Sequence, residues 1–329
     1  MKRSALSALA LAASGCSGTQ TALNPAGPHA GAIASLTWLF FAVLLAIYVL
    51  VLAAAGWALV RRRRPADDEP ETTRRVTRVV AGAVAVTIFV LIGLLTADAF
   101  TNRRINVSDR PDAIILDAIG NQWWWEFRYH GQRADEWVSS PNELHVPVGV
   151  PVVIQASSRD VIHSFWVPNL LGKRDLVPGI TTRTWLQADR PGIYRGQCAE
   201  FCGHQHANMA FLVVAEPMEQ YQAWLQQQRR AAAEPAGDAA GRGRELFVNG
   251  TCVICHTVRG TRAGSRLGPD LTHLASRRTL AAGTLPMTRE HLGRWISDSQ
   301  AIKPGNRMPP NPLNGEDLQA LLAYLEGLK

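Results

Sequence analysis

Cys198-Ala-Glu200-Phe-Cys202-Gly-His204-Gln-His206-Ala-Asn-Met209 gathers thiols, imidazoles, a carboxylate and a thioether on one short stretch, and His163 stands upstream in Val-Ile-His-Ser-Phe-Trp-Val-Pro. Thiolate, imidazole and thioether together suit copper electron-transfer sites, whereas zinc rarely recruits a methionine. Two thiolates four positions apart can bridge two metal ions, each completed by one imidazole and one weak axial ligand. Charge spread over both ions would leave their geometry nearly fixed between redox states. On spacing alone, His204 and His206 are equal candidates. Two exported cysteines could instead form a disulfide, but that would give His163, His206 and Met209 no role.

A second constellation lies downstream. Cys252-Val-Ile-Cys255-His256 is a CxxCH sequence, whose thiols can form thioethers with haem vinyl groups while the histidine coordinates iron. Met287, in Leu-Pro-Met-Thr, and Met308, in Pro-Gly-Asn-Arg-Met-Pro-Pro, compete for the sixth iron position.

These sites need an exported, anchored chain to carry them. Lys2 and Arg3, the apolar run Ala5 to Ala13, then Ser14, Gly15 and Cys16 read as a secretory signal over residues 1–16. It resembles a lipoprotein signal, in which Cys16 would be lipidated, although Ala13 stands where such signals more often have Leu; an ordinary signal cleaved nearby is the other reading. Ile33 to Val60 and Val79 to Ala97 are uncharged apolar runs, and about 20 helical residues cross a hydrocarbon core. Residues 61–78 between them hold seven Arg against four acids. The positive-inside rule keeps that loop of the 33–97 hairpin in the cytoplasm and puts everything after Asp98 outside.

From about 105 to 217 the pattern changes to short runs rich in Val, Ile and Trp, broken by Pro and Gly, which predicts an all-β antiparallel sandwich or barrel. Ile114 to Ala118, Val152 to Ser157, Thr182 to Gln187 and Phe211 to Val214 are its clearest strands. Trp123, Trp124 and Trp125 cannot all point inward from one strand. A helix starting near Met218 gives way to a linker reaching about 241. A small all-α module follows over 242–329, with helical periodicity at Gly243 to Val248, Arg289 to Asp298 and Glu316 to Leu328.

Ser158 to Met209 resembles the copper-A domain of cytochrome c oxidase subunit II, a cupredoxin-like fold, and the last module resembles cytochrome c. The first resemblance implies His163, Cys198, Cys202, His206 and Met209 as side-chain ligands of a dinuclear copper centre, with Glu200 binding through its backbone carbonyl. It alone selects His206 over His204. It also implies that the Glu200 carboxylate faces a magnesium or manganese ion at the border with subunit I, and that Trp123 receives electrons from cytochrome c. The second resemblance implies Cys252, Cys255 and His256 as haem c attachment, Met308 as sixth ligand, and the Pro269 carbonyl as support for His256. Oxidases that use quinol resemble this fold but lack the thiolates.

The reading that follows is an electron-transfer subunit of a proton-translocating haem-copper oxidase in the bacterial cell membrane, with both centres on the periplasmic side and subunits I and III as partners. The oxygen-reducing site would lie in another subunit. A copper-delivery or storage protein with a haem domain, and the electron-transfer arm of a nitrogen-oxide reductase, are the competing readings. The net charge of +7 raises nucleic acid as a partner, but no basic stripe interleaved with aromatics supports it. Residues 98–217 hold eleven basic against thirteen acidic side chains and residues 241–329 twelve against seven, so the two outer modules would attract one another through a flexible tether. The family usually opens its second span with an acid, Trp and Pro. Arg74 to Ala83 offers none of these, so no proton-uptake role is assigned, with Glu71 the only nearby acid.

Overall fold

The computed structural model describes residues 18–61, 70–106, 112–133 and 136–329. The expected signal with Cys16, and Arg62, Arg63 and Arg64 of the expected cytoplasmic loop, lie outside the described residues.

Gly31–Asn106 forms one compact unit. It holds most of helix α1 (Pro28–Val60, 33 residues) and all of α2 (Pro70–Ile105, 36 residues). Each is long and apolar enough to cross a membrane. Trp38, Phe41 and Leu50 on α1, and Val80, Phe89 and Leu91 on α2, are exposed apolar side chains, the pattern of a helix built for lipid instead of a one-sided soluble core. Both helices outrun the apolar runs that predict them. A proline opens each, where its missing N–H costs nothing, and α2 continues through good helix formers at both ends, including Arg103 and Arg104.

The second unit contains a sandwich and a helical module. The strands are β1 (Ile114–Asn121), β2 (Trp124–Tyr129), β3 (Val138–Pro141), β4 (Glu143–Pro147), β5 (Val152–Ser158), β6 (His163–Trp166), β7 (Arg174–Leu176), β8 (Thr182–Leu186), β9 (Gly192–Cys198) and β10 (Ala210–Glu216). They form two sheets ordered β3-β2-β1-β5-β8 and β4-β10-β9-β6-β7. The expectation of antiparallel pairing holds except at β1 with β5 and β4 with β10, which pair in parallel. Those partners are far apart in sequence and are joined by intervening strands crossing between sheets, so no helical crossover is needed.

Alternation on β2 sends Trp125, Phe127 and Tyr129 inward. Trp125 and Phe127 meet Phe165 and Phe211 of the opposite sheet at centroid distances of 5.1 to 6.2 Å. Aromatic pairs of this kind add about 0.5–1.5 kcal/mol each beyond area burial.

Helix α3 (Met218–Gln228) closes one edge, where Trp224 stacks on His145 at 4.0 Å. The helical module has α4 (Asp238–Asn249), α5 (Arg289–Ser297, capped by Thr288) and α6 (Gly315–Glu326, capped by Asn314). The stretch between α3 and α4 is shorter than predicted and is tied down. Ala232 donates its N–H to the Arg259 carbonyl at 2.9 Å, and His273 Nε2 lies 3.2 Å from the Arg230 carbonyl. The tether is therefore held by the module it leads to.

His145 sits between Glu216 (Nδ1 to Oε1, 2.9 Å) and Glu143 (Nε2 to Oε2, 3.9 Å). Burial opposes its protonation, but the two nearby carboxylates outweigh burial and raise its pKa. Because the folded value exceeds the unfolded one, this contribution is complete below about pH 6.5 and fades as pH rises through the folded value. His145→Ala should cost about 3 kcal/mol at low pH, since it leaves buried carboxylates uncompensated. Thermal melts against pH should show the deficit narrowing as pH rises; a deficit independent of pH would refute a charged His145.

Candidate metal and haem centres

Antiparallel pairing of β6 with β9 sets Phe165 opposite Cys198 and brings His163 beside it. The chain then loops from Cys198 through the single turn His206–Asn208 into β10. Its neck is closed by the Cys198 N–H donating to the Met209 carbonyl at 2.9 Å. Within this loop Cys198 Sγ and Cys202 Sγ lie 3.7 Å apart, both buried and both free. His163 Nδ1 is 3.8 Å from Cys198 Sγ, His206 Nδ1 3.6 Å from Cys202 Sγ, and Met209 Sδ 3.8 Å from Cys202 Sγ. The Glu200 carbonyl is 3.1 Å from Cys198 Sγ. All six expected residues therefore converge, and His204 stays exposed. Among the described residues, the ligand atoms of His163, Cys198 and Cys202 all lie within 4.8 Å of one another.

Residues outside the expected ligand set hold this geometry. Asp160 Oδ1 is 2.8 Å from His163 Nε2, which leaves Nδ1 facing the sulfurs, the outer-sphere arrangement that orients metal-binding histidines. Burial opposes the Asp160 charge, but His163 and the N–H groups of Gln122 and Val161 hold its pKa below the usual carboxylate value. Trp123 Nε1 and Gln122 Nε2 both donate to the Cys202 carbonyl, at 2.8 and 2.9 Å, and Trp125 Nε1 to the Met209 carbonyl at 3.3 Å. Trp123 is singled out from the sequence for electron entry and not for this support, and an Asp three residues before a candidate ligand is the signal that could have found Asp160.

The thiols share a proton. Its hydrogen bond from Cys202 pulls Cys198 down to about 4, burial opposing, and the same contact pushes Cys202 up. The contact favours loss of one proton from the pair, and metal binding would displace the other. Soft donors, neighbouring distances below 4 Å and two buried thiols fit a pair of copper ions.

Trp123 is buried, not exposed, because the helical module covers it: a Cβ placed on Gly305 would stand 3.8 Å from its Cη2. Trp124 is half-buried and Trp125 fully buried.

Cys252 and Cys255 are free and half-buried on the short turn Thr251–Ile254 and just after it. His256 Nδ1 lies 2.8 Å from the Pro269 carbonyl, which fixes the tautomer with Nε2 open to a metal. Burial lowers the His256 pKa, so the ring is a neutral ligand. Gly268 is required here, since a Cβ would approach His256 Cε1 to 2.9 Å. The Met308 loop is pinned by Ser299 Oγ and Gln300 Nε2 donating to the Met308 carbonyl at 2.6 and 2.8 Å. Met287 instead packs on the module's apolar core. The two free thiols and the His256 ring, with Nδ1 tied to Pro269, fit a haem attachment.

A family model for the cytochrome c oxidase subunit II periplasmic domain matches residues 131–216, and one for cytochrome c matches residues 240–329. Cytochrome c oxidase subunit 2 of Alkalihalophilus pseudofirmus is 37% identical, covering 98% of this chain and 96% of its own length. The Bacillus subtilis protein of that name is 29% identical, covering 93% and 91%. Among solved structures, the periplasmic domain of subunit II from Bradyrhizobium japonicum aligns at a TM-score of 0.34 and 26% identity, over 38% of this chain and 96% of that one. The chain belongs to the cytochrome c oxidase subunit II family, with a cytochrome c domain at its C-terminal end. The first domain implies copper A and the second implies haem.

Gly120 leaves room for the His163 ring, where a Cβ would stand 2.6 Å from Cδ2. Gly120→Ala should therefore cost about 1–3 kcal/mol through overpacking and shift the His163 imidazole resonances in NMR. Gly264→Ala, with open space around it, should stay within about 0.5 kcal/mol. Equal effects of the two would show that His163 is not seated against β1.

Proposed function

We propose that this chain, an electron-transfer subunit of a respiratory haem-copper oxidase, passes electrons from a donor through a covalently attached haem c and then through copper A to the oxygen-reducing subunit I. The observation that carries this reading is the convergence of His163, Cys198, Cys202, His206 and Met209 at neighbouring distances of 3.6 to 3.8 Å. Those side chains, with the Glu200 carbonyl, would hold the two copper ions. Copper, when bound, supplies a one-electron couple with little change in geometry. Cys252 and Cys255 would form the thioethers, and His256 and Met308 would hold the haem iron. Trp123, donating to the carbonyl of Cys202, is the residue through which electrons reach copper.

The finer assignments belong to the same reading. Both helices span the bacterial cell membrane, residues 61–78 face the cytoplasm, and the copper domain (105–217) and cytochrome domain (242–329) face the periplasm. Subunits I and III and cytochrome c or a similar donor are the partners, proton translocation belongs to the assembled oxidase, and the Glu200 carboxylate meets magnesium or manganese beside subunit I. Burial of both thiols opposes a copper-delivery role, which needs exchangeable metal.

Copper content and absorption test the ligand set. The chain should hold two coppers with strong purple thiolate-to-copper absorption. His206→Ala should lose or distort that band, and His204→Ala should keep it; the reverse would overturn the assignment.

Haem ligation is tested separately, because methionine raises the potential relative to a second imidazole. Met308→Ala should lower the midpoint potential by on the order of 100 mV, part of the span that axial ligands command. It should also remove the long-wavelength sulfur band of the ferric haem, with the haem still bound. Met287→Ala should do neither, and the opposite pattern would exclude Met308.

A further inference from the structure

Neither centre uses Lys303, yet it is 2% exposed. It follows the single turn Ser299–Ile302, on the loop leading to Met308. Its ammonium donates to the carbonyls of Trp123 and Asn208 at 2.8 Å each and of Ala281 at 3.0 Å. An ammonium has three donors and no acceptor, so its capacity is filled. Two of the acceptors belong to the sandwich and the third to the helical module. Burial pulls the Lys303 pKa down to about 7, and the three carbonyl dipoles, drawn from both modules, replace the hydration that the ammonium form loses.

The surroundings make the same crossing. Gln205 Nε2 donates to the Pro304 carbonyl at 2.9 Å, between residues adjoining His206 and Lys303. Ala281, Ala282 and Gly283 run at φ values of +51°, +59° and +77°, a region that alanine rarely occupies. This turn aims the Ala281 carbonyl at Lys303 and the Ala282 carbonyl at the Ala210 N–H, 3.0 Å away. Backbone strain of this sort survives where several contacts over-determine it.

We propose that Lys303 is an interdomain latch, holding the Met308 loop and the 281–283 turn against Trp123 and the 208–210 segment so that the haem-bearing module keeps one register over the copper loop. It is a positioning residue. Its consequence for electron flow rests on the two-centre reading above, but the latch itself belongs to the polypeptide. Lysine suits the place better than arginine, because three carbonyls converging on one atom match a compact ammonium and not a planar fork.

Hydrogen exchange in the full chain tests the latch directly. The Ala210 N–H bonds to Ala282 across the boundary, whereas the Leu212 N–H bonds to Asn142 within the sandwich. In Lys303→Met the Ala210 amide should exchange about tenfold faster or more, with Leu212 unchanged. Unchanged protection at Ala210 would overturn the proposal, as would an Ala210 amide unprotected in the unaltered chain. Should Lys303→Met fail to fold, Lys303→Gln is read by the same two amides.

A second readout concerns electrons. Reduction of the haem by an external reductant should keep its rate in the variant, while onward reduction of copper should slow about tenfold or more and become dependent on solvent viscosity, as expected once a domain motion gates the step. Equal onward rates in the two proteins would also sink the proposal. A chain that binds neither haem nor copper, yet loses Ala210 protection on Lys303→Met, would refute the two-centre reading and leave the latch standing.

Discussion

Two thiols held 3.7 Å apart, buried and not bonded to each other, set the terms for everything around them. Left on a mobile loop in an exported protein, they would oxidise to a disulfide. What keeps them apart and in register is backbone restraint: the neck bond from Cys198 to Met209, the two donors on the Cys202 carbonyl, and Trp125 on the Met209 carbonyl. Trp125 is itself fixed by Phe127, Phe165 and Phe211. The aromatic core of the sandwich is thus the rigid backing of the site, and ligand geometry follows from a packed interior instead of from the loop's own preference.

The ligand types were legible because softness is a property of side chains, readable without coordinates. The choice between His204 and His206 was not, since both lie on one short irregular loop where neither the helical nor the strand period applies. Only a family resemblance preferred His206, and the fold separates the two by turning His204 to solvent. Strands were legible from Val, Ile and Trp runs, but the parallel partners β1 with β5 and β4 with β10 were not, because pairing is a nonlocal property that runs of residue type do not encode. The helix ends strayed for a related reason. Hydropathy marks what suits a membrane, while a helix stops where capping and propensity end it.

The residues that reading missed share one trait, in that their sequence neighbourhood misstates their environment. Lys303 precedes Pro304 and Gly305, a context that reads as a solvated turn, and it is buried. Gly120 closes a strand as if it were turn punctuation, whereas its function is to make room for an imidazole. His145 reads as a surface residue of an alternating strand, but Trp224 and two carboxylates enclose it. Each depends on a partner at least three residues away, and most on partners far removed in the chain.

Charge counting bears on whether the two outer modules attract one another and says nothing of the contacts they make. Opposite net charges act through a field that salt screens beyond about 10 Å, which suffices to bring modules together and not to fix their register. Contact is made largely with backbone dipoles: Lys303 on three carbonyls, Arg259 on the carbonyls of Gln228, Arg229 and Trp137, and Arg159 on that of Arg266. Carbonyl acceptors have a further consequence beside the thiols. A carboxylate partner for Lys303 would have brought a negative charge toward Cys202 and opposed loss of its proton, whereas neutral dipoles bring none; burial pulls the Lys303 pKa down to about 7, and the positive charge it keeps acts to lower the raised Cys202 value. One buried lysine can in this way join two modules without adding a competing anion to the copper loop.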